Sequence, residues 1–174
     1  MRRVVSEVSR GAIASSIVPA TTITRFPTPF DKDLIVVSDG TQIVESSFGA
    51  RRRRHDKPTD ALLVDIASQV RAYFARRLAR FDVPLRFEGT PLRVAAWRAV
   101  ASLRFAEFVS YADVARAIGR PTAHRGIASA MSASPFDLFV PAHRVVGADG
   151  RVRGAAPGSM RARLVHFERS SPSS

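Results

Sequence analysis

The sequence predicts an α/β N-terminal unit followed by a mostly α C-terminal unit, and a few local patterns carry that prediction. Runs rich in β-branched residues, Leu34 to Val37 and Thr41 to Phe48, flank the turn tripeptide Ser38-Asp39-Gly40. An amphipathic helical pattern fills about residues 59 to 80. Beyond Gly89-Thr90-Pro91 the spacing of turn residues tightens, and compact helical patterns follow one another. With 174 residues, 45% of them hydrophobic, the chain can bury a core as one sizeable domain or two small ones.

The first segment, Met1 to Thr22, carries Arg2, Arg3 and Arg10 ahead of a mildly apolar stretch from Ala12 to Ala20. That stretch is too short and too interrupted by serine to span a bilayer, and Glu7 is out of place in a secretory leader. Residues 1–22 are a candidate flexible lead, and the default location is cytoplasmic and nucleoid-associated, with no membrane. After the strand pair comes Arg51-Arg-Arg-Arg54, a run more often solvated than bound. In the helix from Thr59 to Arg80, Leu62, Ile66, Val70, Tyr73 and Phe74 recur at helical spacing with arginines opposite, and Phe81-Asp-Val-Pro84 ends it.

Thr90 is a candidate N-cap with Pro91 in the first helical position, ahead of a buried stripe of Val94, Trp97, Val100 and Ala101. A short helix starts at Ser110 and ends at Gly119. A third runs from Thr122 to Ala133, after Pro121. Its run of small residues, Gly126, Ala128, Ser129, Ala130, Ser132 and Ala133, suits either tight helix packing or close approach to another surface, and Arg125 projects near its start. Leu138-Phe-Val140 and a hairpin around Ala148-Asp149-Gly150 complete a helix-turn-helix with a β wing.

Charge and the missing cysteines narrow the function. Twenty-seven Lys+Arg against fifteen Asp+Glu leave a formal +12, which favours a polyanionic partner such as the nucleic-acid backbone. Zero cysteines exclude disulfides, thiolate metal sites and cysteine nucleophiles. The histidines, at 55, 124, 143 and 166, lack paired spacing, so neither metal nor cofactor is expected. His124 is a candidate phosphate contact. Arg151, Arg153, Arg161 and Arg163 form either a second phosphate track or a solvated face.

Several ordered segments carry a family resemblance. Gly89-Thr90-Pro91 with Trp97, Ser110-Tyr111, Arg125 with Met131, Pro135, and Val140-Pro141-x-His143-Arg144-Val145-Val146-Gly147 resemble the O6-alkylguanine-DNA alkyltransferases in order and spacing. The resemblance is strongest over about residues 59 to 168, and Gln69, Tyr73-Phe74 and Phe81-Asp82-Val83-Pro84-Leu85 resemble the family's link from its N-terminal domain. It implies a ribonuclease-H-like N-terminal domain over 1–88, a winged-helix-like DNA-binding domain over 89–169 and a tail at 170–174. It also implies a suicide repair protein, in which a flipped guanine passes its O6-alkyl group to cysteine. Arg125 matches the arginine that fills the vacated base stack, and Tyr111 the tyrosine that helps rotate the nucleotide out. Thr122, Ala128, Ser129 and Arg144 fall at expected DNA contacts, with the third helix in the minor groove. His143 matches the base that acts through water, and Glu168 the carboxylate that orients it. Met131, Val140, Pro141, Ala155, Ala156 and Ser159 fall around the base pocket.

Departures from the family pattern decide what carries over. Ala142 stands at the acceptor cysteine, and a methyl group has no lone pair to attack with. Ser134 replaces the usual asparagine before Pro135, Ala155 replaces a common tyrosine, and the stretch up to Glu168 is one residue short. The expected function is a monomeric damage sensor similar to the alkyltransferase-like proteins, which bind O6-alkylguanine in duplex DNA and pass it to nucleotide excision repair. The alternatives are a suicide alkyltransferase in a cysteine-to-alanine inactive form, and a lesion-blind DNA-binding module. His143 and Glu168 have a plainer reading too, as a buried hydrogen-bonded pair supporting the strand and last helix.

Overall fold

The computed structural model describes residues 20–53, 57–58, 60–153 and 155–170. Expectations for the lead up to residue 19, for Arg54, His55 and Gly154 and for the tail at 171–174 lie outside the described residues.

Strands β1 (Thr22–Pro27), β2 (Lys32–Ser38) and β3 (Ile43–Ala50) form an antiparallel sheet in that order. The β2–β3 hairpin follows the turn chemistry read from Asp39-Gly40. The Asp39 carboxylate accepts from Thr41 N at 2.9 Å and Gln42 N at 2.8 Å, and Gly40 takes a φ of 90° that favours glycine. Strand β1 had no counterpart in the sequence reading. Its alternation runs against hydropathy: Thr24 and Phe26 point inward, while Ile23 is 62% exposed. A threonine inside and an isoleucine outside hide the period of two on which strand recognition depends.

Helix α1 (Ala61–Phe74) begins at Asp60, whose carboxylate caps Leu63 N at 2.7 Å, and buries Leu63, Ile66, Ala67, Val70 and Tyr73. It stops short of the expected Arg80. Arg76 adopts a φ of 59°, the left-handed value usual for a glycine past a helix end, and Arg77 N reaches back to Ala72 O at 2.8 Å. The Arg76 side chain donates to Phe167 O at 2.5 Å and Ser170 Oγ at 3.0 Å, tying this unusual terminus to the C-terminal helix.

The outer edge of β3 is covered twice. Ile43 N donates to Pro84 O at 2.8 Å, and Arg86 N donates to Ile43 O at 2.9 Å. Further along, Ser46 N donates to Pro135 O and Asp137 N to Ser46 O, both at 2.9 Å, while Ser46 Oγ donates to Asp137 O at 2.7 Å. Pairing the edge in this way removes an aggregation hazard and hangs residues 135–137 from the sheet. Phe136 is fully buried beside Phe87, with ring centroids 5.6 Å apart.

Helices α2 (Pro91–Ala101), α3 (Tyr111–Ala117) and α4 (His124–Ser132) pack on one another. Thr90 caps α2, with Pro91 in its first turn, as its sequence indicates. Ser110 and Asp113 form a reciprocal capping box at the start of α3. Helix α4 starts at His124 rather than Thr122, since Thr122 lies in a turn, and has no side-chain cap. Its small residues serve the tight-packing reading. Gly126 faces Leu92 so closely that a Cβ there would lie 2.6 Å from Leu92 Cδ2, and Ala130 O accepts from Trp97 Nε1 at 2.8 Å. On the other side His124, Arg125, Ser129 and Ser132 are exposed.

Two short strands, β4 (Val109–Ser110) and β5 (Val145–Val146), pair in parallel, and a 3-10 turn (Ala142–Arg144) precedes β5. The expected strand at Leu138–Val140 is instead a turn, with Leu138 at φ 71°. The expected wing hairpin is also absent among the described residues. Gly147 N donates to Arg151 O at 2.7 Å across a tight turn, but β5 is already paired with β4. Arg151-Val-Arg153 offers little apolar surface that would reward a further strand. Helix α5 (Met160–Arg169) closes the fold, and one continuous hydrophobic cluster joins the sheet, α1 and the C-terminal helices.

Candidate functional site

Ala142 opens the 3-10 turn, placed by the parallel β4–β5 pair after it and by residues 135–137 on β3 before it. It is 7% exposed, and its methyl lines a cavity of about 250 Å³ together with His143.

Joined to the cavity through His143 is a buried polar network centred on Glu168 of α5. His143 Nε2 lies 2.8 Å from Glu168 Oε1, so the pair expected from sequence is present. The same carboxylate also accepts from Tyr73 OH at 2.7 Å and Ala106 N at 3.0 Å. Arg144 donates Nη2 at 2.8 Å and Nε at 3.0 Å to its two oxygens. Burial alone pushes the Glu168 carboxyl up, but the hydrogen bonds from His143 and Arg144 outweigh it and bring the group down to about 2. Burial lowers His143 below its ordinary value, against the pull of Glu168, which leaves the imidazole neutral near pH 7. Tyr73 is raised by burial and by the Glu168 charge, so its hydroxyl is a committed donor. The arrangement can hold a neutral histidine in a fixed orientation beside the cavity; among the described residues it presents no thiol there.

Arg144 corrects the sequence reading. It was expected at DNA, yet it is buried, with Nη1 donating to Leu103 O at 2.7 Å and its other donors on Glu168. A guanidinium inside Val140-Pro141-x-x-x-Val145-Val146 needs an internal counter-charge, and the apolar residues around it were the available signal.

The residues matched to the base pocket divide. Val140, Ala155 and Ser159 line the cavity beside Ala142, with Phe48, Leu138, Met160 and Leu164 among their neighbours. Met131 and Pro141 are buried outside it, and Ala156 is exposed. Ser159 Oγ caps α5 by accepting from Ala162 N at 3.3 Å. Asp137 and Arg161 also line the cavity. Sequence reasoning missed both, because Arg161 was grouped with Arg151, Arg153 and Arg163 as a phosphate track or solvated face, and no local pattern marked Asp137.

The residues matched to DNA gather elsewhere. Tyr111 at the start of α3 and Arg125 and Ala128 on α4 line a second cavity of about 420 Å³, with His124, Gly147 and Arg153. Arg125 is exposed, and burial raises the Tyr111 hydroxyl while the Arg161 and Arg153 charges lower it. Arg161 thus stands electrostatically between the two cavities. Thr122 and Ser129 are exposed but do not line the second cavity.

The chain is similar to known proteins. The family model described as 6-O-methylguanine DNA methyltransferase, DNA binding domain, matches residues 91–169. A methylated-DNA–protein-cysteine methyltransferase of Mycobacterium tuberculosis is 36% identical over 119 residues, or 68% of this chain and 72% of that protein. Another, from Methanosarcina barkeri, is 36% identical over 94 residues, and the match spans 54% of this chain and 60% of that relative's length. Among solved structures, Mycobacterium tuberculosis OGT in complex with DNA aligns with a TM-score of 0.70 at 30% identity, covering 84% of this chain and 92% of that one.

Proposed function

The chain belongs to the methylated-DNA–protein-cysteine methyltransferase family, and we propose from that premise that it binds O6-alkylguanine in duplex DNA by base flipping and holds it without alkyl transfer. The observation that carries this reading is Ala142. The methyl group lies on the cavity wall beside an oriented, neutral His143, where the family's chemistry needs a thiolate. In this reading Tyr111 and Arg125 act at the flipped nucleotide and the gap it leaves, α4 lies in the minor groove, and the basic charge holds phosphates. The cavity beside Ala142 receives the base, and Ala155 leaves room for larger alkyl groups.

The same reading carries its finer parts. We assign a ribonuclease-H-like domain to 1–88, supported by the antiparallel sheet with α1, and a winged-helix-like domain without a paired wing among its described residues to 89–169, supported by helices α2 to α4. The bound complex acts as a cytoplasmic, nucleoid-associated monomer that presents the lesion to nucleotide excision repair proteins. No helix among the described residues is long and apolar enough to cross a membrane.

A binding and transfer assay tests the proposal. On a duplex carrying a labelled O6-methyl group, the label stays on the DNA, and the lesion duplex is retained over the plain one at physiological salt. Label appearing on the protein would overturn the reading of Ala142. Equal affinity for both duplexes would favour a lesion-blind module.

One observation favours a second reading, a suicide alkyltransferase in a cysteine-to-alanine form. The hydrogen bonds that would orient His143 are complete. Under that reading Ala142→Cys acquires methyl transfer; no transfer would indicate that the cavity has diverged as well.

A further inference from the structure

Two groups of arginines that lesion binding leaves unused meet on one surface. Arg51, the first of the tetra-arginine run, donates to Thr28 O and Phe30 O and so holds the β1–β2 turn, with Arg52 and Arg53 exposed after it. Arg163 of α5 reaches the same turn from the other side. It pairs with Asp31, and its guanidinium carbon lies 4.9 Å from the centroid of the Phe30 ring. Between the turn and α5 is a groove of about 470 Å³, whose lining includes Phe30, Gly158, Ala162, Arg163, His166 and Phe167. Helix α5 separates this groove from the cavity beside Ala142: Arg161 and Leu164 face the cavity, while Ala162, Arg163 and His166 face the groove.

Charge and packing together decide what fits there. Helix α5 carries Arg161, Arg163, His166 and Arg169 against one acid, Glu168, which is buried. Among the described residues no acid lines the groove, so an anionic partner is favoured. The walls are largely apolar, and a partner that adds an apolar side chain to its charge gains further. Bases find little to stack on. The Phe30 ring is engaged by Arg163 and by the rings of Phe74 and Phe167, 5.8 and 6.2 Å away. Phe167 in turn has the Arg76 guanidinium 4.4 Å from its centroid and Tyr73, Phe74 and Phe105 around it. Single-stranded nucleic acid needs open ring faces, whereas an aliphatic side chain needs only an apolar wall. The Arg163–Asp31 pair is open to exchange, because the Asp31 side chain is 73% exposed and exposed ion pairs hold weakly. We propose that this groove docks an acidic segment of a partner protein. A carboxylate of the segment takes Arg163 from Asp31, His166 supplies a second donor, and a neighbouring aliphatic side chain lies against Phe30 and Phe167. The docking site is separate from the lesion site and does not rest on lesion recognition.

The test uses the full chain and fluorescein-labelled peptides of equal length and charge, repeats of Glu-Glu-Leu or of Glu-Glu-Ser. Fluorescence anisotropy at physiological salt should show the leucine peptide bound about tenfold more tightly, as burial of an apolar side chain requires. Arg163→Ala should weaken the leucine peptide about tenfold. Arg120→Ala, which removes an exposed arginine outside the groove, should change it by less than about twofold. Asp31→Asn should tighten binding about two- to fivefold, since it frees Arg163 from its internal competitor. Equal binding of the two peptides reduces the effect to general attraction by the +12 charge and overturns the site. A loss in Arg163→Ala no larger than that in Arg120→Ala overturns its location, and unchanged or weaker binding in Asp31→Asn overturns the exchange of partners. A single-stranded oligothymidine bound more tightly than the leucine peptide, and released by Arg163→Ala, assigns the groove to nucleic acid and overturns the peptide. The peptide comparison uses the unaltered protein and no DNA, so its outcome depends neither on whether a variant folds nor on the lesion reading.

Discussion

Glu168, in the buried network, accepts hydrogen bonds from Tyr73, Ala106, His143 and Arg144, whereas Asp137, in the neighbouring cavity, receives among the described residues a single long one from Phe48 N. Both are carboxylates close to Ala142, yet one is satisfied by the fold and the other, among the described residues, has most of its acceptor capacity unused. A buried charge with complete partners is hard to alter, because deleting any partner strands the rest in a poorly solvating interior. A cavity wall has more freedom, since water can replace what a substitution removes. Retention of His143 and Glu168 therefore follows from folding alone and does not require that the site still transfers alkyl groups. Ala142 lies where the two regimes meet, and loss of a sulfur there costs the fold little.

The contrast is broken most directly at its satisfied end. Glu168→Ala strands the Arg144 charge and should lower stability by about 3–5 kcal/mol in urea denaturation; a loss near zero would mean the network is not a folding element. Acid should probe the same network without mutation. Glu168 falls from 4.5 to about 2 on folding, so its contribution is present above pH 4.5 and lost as pH drops from there toward 2. His143 is likewise lowered from 6.5, so its contribution too is lost as pH falls below 6.5, and thermal melting points should decline from there. A melting point flat from pH 6.5 to pH 5 would contradict the sign for His143, and one flat from pH 4.5 to pH 2 the sign for Glu168. Tyr73→Phe removes one neutral donor to the charged hub and should cost about 1.5–3 kcal/mol. On the open side the effect should move from folding to binding. Arg125→Ala should weaken lesion-duplex affinity by on the order of 1–3 kcal/mol, with stability changed by less than about 0.5 kcal/mol in the same buffer. If stability falls instead, Arg125 belongs to the structural side of the comparison.

What the sequence revealed divides along similar lines. Local chemistry was legible: Asp39-Gly40 marked the hairpin, Thr90-Pro91 the start of α2, and Ser110 the start of α3. So were the pairing of His143 with Glu168 and the shared surface of Tyr111 and Arg125, since family spacing carries those. Features set by distant partners were not. Arg76 takes a left-handed conformation because α5 supplies carbonyl and hydroxyl acceptors 91 and 94 residues away, and no local pattern shows that. Tyr73 was read as one more apolar position on α1, although its hydroxyl reaches Glu168. Arg144 was assigned to DNA by position, and burial against Glu168 reversed that assignment. Asp137 faces the cavity because β3 holds its backbone, a tertiary constraint that its neighbours in sequence do not encode.

Trp97 is the chain's single tryptophan; it is 2% exposed, its indole donates to Ala130 O, and Phe87 stacks beside it at 6.4 Å. The protein therefore carries a built-in optical reporter at the contact between α2 and α4, and the sheet has none. Its emission should be blue-shifted in the native state and should move to longer wavelength when those helices part. Circular dichroism follows the backbone as a whole, so the gap between the two melting curves measures how tightly the sheet and the helices that bear Arg125 are joined in unfolding.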